Sequence, residues 1–310
     1  MDQVEIQAVP RRWRSAAIKF LVGGANDDRQ IRAGGQAMQQ MVAKAGSAAG
    51  RLWWARSDRT TLAVALVVEG AGRTSMMFFS PPDAPGVDRQ WLVRLIGEIS
   101  RDAIEGGMSL VQVLVEPSDE QQAAVLIDSG LILLAELIYM KRDLLSCPPG
   151  AQNIREDLTW RNYKQFTEAE LGEVISQTYA DSLDCPVLRG VREMSDVISG
   201  HKCSGIFCSE AWWIVTSADR TEPAGCILVN DSVKTPTADI VYMGVVPEFR
   251  RQGVAGAMLD QSVLQASERN CEGISVAVDT RNDRAIRVYE QSGFVEIYRR
   301  LAYVELKSRP

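Results

Sequence analysis

Residues 239–259 read DIVYMGVVPEFRRQGVAGAML. The apolar run 239–246 predicts a strand, and the Pro-free amphipathic segment from 253 predicts a helix. Between them stand Pro247, Arg250, Arg251, Gln252 and Gly253. A helix start leaves several backbone N–H groups without partners and carries partial positive charge. Together these make a site for an anion such as phosphate. Gly253 would let a phosphate approach the backbone, Ala255 adds little bulk, and Arg250 and Arg251 add full charges. Read alone, the stretch fits a phosphate cradle and a plain helix start after a basic turn equally well.

The rest of the chain restricts the choice. It has 310 residues, 46% of them hydrophobic and 24% charged, with a net charge of −6. This is a globular composition, long enough for two domains. Before residue 151 there are 16 basic and 17 acidic residues; after it there are 18 and 23. The acidity therefore lies in the second half, and it argues against a broad nucleic-acid surface. No apolar run approaches the ~20 residues of a membrane helix. The first residues, MDQVEIQAVPRRWR, lack a signal-peptide core, so a cytoplasmic location is expected. All six cysteines lie between Cys147 and Cys271. Cys203, Cys208 and His201 are close in sequence, but no zinc-type spacing completes a set. Reduced, mostly buried thiols are the simpler reading, and no metal is expected.

Pro148-Pro149-Gly150 and its polar flank break the periodicity and predict a linker at 146–157. On either side the chain repeats itself. VQVLVEPSDEQQAAVLIDSGL (111–131) aligns without a gap on ISVAVDTRNDRAIRVYEQSGF (274–294), 163 residues later. Both segments read strand, turn, short helix, Ser-Gly, strand, which indicates two copies of one domain. At the same offset Gly253 falls opposite Gln90 and Tyr289 opposite Leu126, so the first copy keeps the pattern without the loop. Helices are predicted at 88–105, 119–129, 167–183, 189–199, 253–269 and 283–291. Strands are predicted at 62–70, 74–80, 109–116, 158–163, 211–219, 224–231, 239–246, 274–279 and 295–305. A Walker-type loop is excluded, since no Gly-Lys-Ser/Thr is present. A dinucleotide fingerprint fits poorly, because the strand end is bulky and charged.

Arg250-Arg251-Gln252-Gly253-Val254-Ala255 resembles the Q/R-x-x-G-x-G/A signature of the GCN5-related N-acetyltransferases (GNAT). Val245-Val246-Pro247 before it, Asn282 and Ala285 after the next strand, and Tyr289 with Ser292-Gly293-Phe294 follow in that family's order. The resemblance implies an α/β fold of two tandem GNAT domains, each a mixed sheet flanked by helices. It places a degenerate copy without the coenzyme loop at 1–145 and an acetyltransferase domain at 158–310. It further implies that acetyl-CoA, or another acyl-CoA, is the co-substrate. Amides of Arg251, Gln252, Gly253, Val254 and Ala255 would hold its pyrophosphate, with Arg250 nearby. Main-chain groups of Gly244, Val245 and Val246 would pair with its pantetheine arm, between strands that splay apart. Asn282 would touch the coenzyme or tie the loop down.

Tyr289 matches the family's proton donor to the leaving thiolate, unless it only packs beside Ala285. Asp239 matches the acidic base of one family branch, although an acid at a strand start is also a common solvated end. The acceptor, a small-molecule or peptide amine, would meet Asp184, Cys185, His201 and Trp213. His201 is the single histidine, a natural base by pKa or a structural residue. Direct transfer needs no nucleophile from Cys185. A non-catalytic acyl-CoA sensor is the alternative function.

Overall fold

The computed structural model describes residues 3–23, 50–147, 155–219 and 222–307. Two compact units divide the chain, one holding the residues up to Leu134 with those from Leu301 onward, the other Ala135–Arg300.

The first unit contains β1 (Glu5–Ala8), α1 (Arg14–Leu21), β2 (Gly50–Arg56), β3 (Thr61–Gly70), β4 (Thr74–Phe79), α2 (Arg89–Glu105), β5 (Leu110–Val115) and α3 (Glu120–Asp128). Its strands run in the order β1-β2-β3-β4-β5 and are closed by residues 301–306 of β12 (Val295–Leu306). Every pairing is antiparallel except β4 with β5. Leu92, Leu95 and Ile96 of α2 are fully buried on one face of this sheet, and Ile18 and Leu21 of α1 pack on the other. Burying each such side chain stabilises by ~1.5–3 kcal/mol.

The second unit repeats this plan. After β6 (Ile132–Asp143) come β7 (Leu158–Asn162), α4 (Glu168–Thr178), α5 (Met194–Lys202), β8 (Trp212–Ser217), β9 (Pro223–Asp231), β10 (Thr237–Val245), α6 (Val254–Glu268), β11 (Gly273–Asp279) and α7 (Asp283–Gln291). The order is β7-β8-β9-β10-β11-β6, with β10 and β11 the parallel pair. Side chains alternate across each strand. Trp212 and Ile214 of β8 therefore join α4 and α5 on one face, while Trp213 and Val215 join α6 and α7 on the other.

The aligned segments 111–131 and 274–294 thus become β5–α3 and β11–α7. Both helices stop at a glycine in the left-handed region, Gly130 at φ 95° and Gly293 at φ 81°, as a C-terminal cap requires. The sixth strand is exchanged, however. The strand after α3 completes the second sheet through residues 137–143, and the strand after α7 completes the first. The compact units therefore follow the sheets and not a single cut at 146–157, of which 148–154 lie outside the described residues.

Helix α1 was not expected, and two of the predicted helices differ in extent. The helix predicted over 167–183 starts with the expected capping box of Thr167 and Glu170 but ends at Thr178. The Arg250 guanidinium draws in the carbonyls of Thr178, Ala180 and Asp181, and Asp181 has φ 52°. The helix predicted over 189–199 starts only at Met194, after Gly190 at φ 72°. Among the described residues no helix is long and apolar enough to cross a membrane.

Candidate active site

The opening stretch forms one continuous device. Pro247–Phe249 make a 3-10 turn, and Phe249 is buried against the core under α6. Arg251 (φ 60°) and Gly253 (φ 79°) both lie in the left-handed region, so consecutive amides curve around one point. The first amide within α6 to find a partner is that of Ala257, which donates to Gly253. The amides of residues 251–256 have no acceptor among the described residues. No side chain caps α6 and its first turn carries no acid. Six free N–H groups at a helix start form an anion cradle. The exposed Arg251 guanidinium makes no bond to a described residue and adds a full charge.

The matching helix of the first unit lacks this property. Asp88 caps α2, its carboxylate accepting from the amides of Gln90 at 2.9 Å and Trp91 at 3.1 Å. The chain's own carboxylate takes the amides that α6 leaves open.

Arg250 does not face the cradle. Its Nε donates to the Val245 carbonyl at 3.0 Å and its Nη2 to the Ala180 carbonyl at 2.6 Å. It ties the end of β10 to the end of α4. Arg155, which nothing in its sequence context singled out, reaches the loop instead: its Nη1 donates to the Gln252 carbonyl at 2.7 Å. A polar cavity of about 140 Å³, lined by Arg155, Asp157, Ser217, Asp219, Gln252 and Val254 among others, runs beside it.

The ladder between β10 and β11 opens as expected. It runs from Thr237↔Gly273 to Ile240↔Val276 and stops, although the strands continue to Val245 and Asp279. A bulge in β10 between Ile240 and Tyr242 marks the opening. Of the three residues expected to meet pantetheine, Gly244 and Val246 face β9, since the Val246 amide donates to Ala224. Val245, the residue between them, turns its amide to the open side. The β10–β11 ladder has already ended at Ile240↔Val276, so that amide has no ladder partner on β11.

Asp184 enters this gap. In β11 the Thr280 amide donates toward β6, to Glu136. The Asp279 amide therefore points the other way, toward β10, and it donates to Asp184 Oδ1 at 3.2 Å. The adjacent Cys185 amide donates to Asp279 Oδ2 at 3.3 Å. Asp279 is buried; burial raises its carboxyl, but hydrogen bonds from the Arg281 side chain and from the Arg281 and Cys185 amides outweigh this and hold it below the usual range. Asp184 keeps solvent-accessible surface although protein surrounds it, the condition of a side chain in a concavity. Desolvation pushes its carboxyl above the usual range, the Asp279 charge adds to this, and the Asp279 amide and Arg281 oppose it. Burial, then Asp184 and Asp279, push the Cys185 thiol up to about 12, so it is no thiolate at neutral pH.

Among the described residues Asp184, Cys185 and Asp279 are the one group whose ligand atoms converge, within 4.8 Å. Arg281 and two amides already engage the Asp279 carboxylate, which makes this donor set a poor cation site. Cys203, Cys208 and His201 do not converge.

Tyr289 is 5% exposed, packed beside Phe294, and its hydroxyl has no bond to a described residue. Burial, followed by the Asp184 charge, raises its phenol, which stays protonated at neutral pH. Asn282 caps α7 by accepting from the Ala285 amide at 3.2 Å. His201 packs against Tyr242 with ring centroids 5.4 Å apart; burial and Arg192 lower it to about 4, so it is neutral at pH 7. Trp213 lies on the α6 face, its indole N–H donating to Gln265 at 3.0 Å. Asp239 accepts from the Ser275 hydroxyl in the closed part of the ladder, four residues or ~13 Å short of the Asp279 level. The structure thus gathers Asp184, Cys185, Tyr289 and Val245 around the gap, and sets Asp239 and Trp213 apart from it.

Residues 183–294 match the sequence profile of the acetyltransferase (GNAT) family. Residues 183–294 thus form a GNAT acetyltransferase domain, and the chain has the fold of GNAT proteins. It is similar to a mycothiol acetyltransferase of Propionibacterium freudenreichii subsp. shermanii, 28% identical over 252 residues, 70% of this chain and 77% of that protein. Among solved structures it resembles a GCN5-related N-acetyltransferase from Sphaerobacter thermophilus, with TM-score 0.64 and 18% identity over 100% of this chain and 97% of that one. A tandem GNAT protein from the clavulanic acid biosynthesis pathway has the same fold, with TM-score 0.52 and 15% identity over 99% and 100% of the two chains.

Proposed function

We propose that the second unit transfers an acetyl group from acetyl-CoA to a primary amine of a small molecule or peptide. The observation that carries this reading is the run of six amides at 251–256 without an acceptor among the described residues, together with a β10–β11 ladder that stops at Ile240↔Val276. The amides and Arg251 hold the pyrophosphate. The pantetheine arm enters the gap and pairs with the free amide of Val245 as an added strand would. That amide is also the donor placed to stabilise the oxyanion of the tetrahedral intermediate. Tyr289 gives its proton to the departing sulfur. The mycothiol acetyltransferase likeness supports an acetyl cargo.

Calorimetry with acetyl-CoA and release of free CoA across a panel of amines test this together. Binding and release are expected in the wild type. Tyr289→Phe is expected to keep binding and lose about 10²-fold or more in turnover. Unchanged turnover removes Tyr289 as the acid. Binding without release on any amine favours an acyl-CoA sensor.

A further inference from the structure

We infer that Asp184 is the general base, taking the proton of the acceptor ammonium inside the gap between β10 and β11. This rests on the acetyl-transfer reading above. The Asp279 amide, freed where the ladder opens, fixes the carboxylate at 3.2 Å and leaves its second oxygen for an incoming N–H. The charge of Asp184 acts on phenols from both faces of the sheet: Tyr179 at the end of α4 and Tyr242 on β10 on one side, Tyr289 on α7 on the other. Tyr289, buried and with no described partner for its hydroxyl, is the second half of the pair. Asp184 would act as base and Tyr289 as acid on the same thioester.

The protons balance. The acceptor ammonium gives one proton to Asp184, which passes it to solvent. The freed lone pair forms the C–N bond, and the oxyanion collapses with cleavage of C–S. The sulfur takes a proton from Tyr289, and the phenolate regains the proton shed by the new amide nitrogen. The charged and titratable groups facing Asp184 are Cys185 on its own loop, Asp279 and Arg281 at the end of β11, and the three phenols. The thiol and the phenols are all raised and stay neutral near pH 7, which leaves Asp184 as the raised carboxylate among them. Its upward displacement brings it nearer the working pH, as a base requires.

Asp184→Asn separates base chemistry from positioning, because the amide oxygen can still accept from Asp279. The full chain would be assayed with acetyl-CoA and methylamine, glucosamine, spermidine and a lysine peptide as acceptors. Wild-type kcat/KM should fall at acid pH as Asp184 protonates. Asp184→Asn should lose about 10²–10⁴-fold and flatten that limb, with acetyl-CoA affinity unchanged. Asp184→Glu should restore part of the rate and shift the limb. A rate and pH profile like the wild type in Asp184→Asn overturn this assignment alone. A wild type that neither binds acetyl-CoA nor releases CoA overturns the functional reading and this assignment with it.

Discussion

Thr178 stands over Gly244: a Cβ at position 244 would lie 2.6 Å from the Thr178 hydroxyl oxygen and 2.7 Å from its Cβ. The hydroxyl cannot yield, since it donates to the Ile175 carbonyl at 2.7 Å and meets the Tyr242 hydroxyl at 2.5 Å. The last turn of α4 is thereby pressed onto β10 one residue before the free Val245 amide. Gly244→Ala should cost about 1–3 kcal/mol in urea unfolding and lower acyl transfer by moving β10. Adding Thr178→Ala should recover part of both. A double mutant no better than the single would show that the Thr178 hydroxyl is not the cause.

Gly253 and Asp88 begin equivalent helices with opposite chemistry. A carboxylate at 253 would bring to α6 the negative charge that α2 already carries. An aspartate tolerates positive φ better than most residues, so Gly253→Asp should fold. It should weaken acetyl-CoA binding about tenfold or more, near 1.4 kcal/mol, through repulsion of the pyrophosphate. Gly253→Asn, uncharged, should weaken it less. Calorimetry on both variants decides whether charge or shape is responsible.

His201 gives the protein an acid-sensitive element. Its pKa falls from 6.5 to about 4 on folding, by burial and by Arg192. Above pH 6.5 both states hold it neutral. As pH falls below that, the unfolded chain binds a proton that the folded one refuses, and stability declines until the folded group protonates near 4. The whole window corresponds to roughly 3 kcal/mol. Denaturant titrations between pH 7 and 4.5 should show a smaller decline in His201→Gln than in the wild type. Equal slopes would mean that carboxylates set the acid limit.

The loop was legible because its shape rests on backbone conformation, and glycine and small residues announce that in the chain itself. The helix 283–291 was equally plain, although the cap that Asn282 provides was not read from the sequence. Arg250 shows the limit. Its charge reads as a phosphate ligand, yet carbonyls some 70 residues earlier, at Thr178 and Ala180, take up the guanidinium. Asp184 shows the same limit from the other side. Its place in the gap depends on the Asp279 amide 95 positions away, and no spacing in the sequence encodes that. Asp239 looked catalytic by counting along one strand, whereas its hydroxyl partner Ser275 belongs to the next.

The exchanged sixth strands have a consequence for how such a gene can be divided. Cutting the chain between residues 147 and 155 would separate each sheet from its sixth strand. The later piece keeps the cradle, the gap and Tyr289 but leaves β11 as a bare edge, because residues 137–143 remain with the earlier piece. The earlier piece is left with β5 bare for want of residues 301–306. Each piece would be sticky along the row of backbone groups it has lost the means to cover. Each half thus holds a strand that the other's sheet needs, so a replacement half would have to supply the matching strand as well.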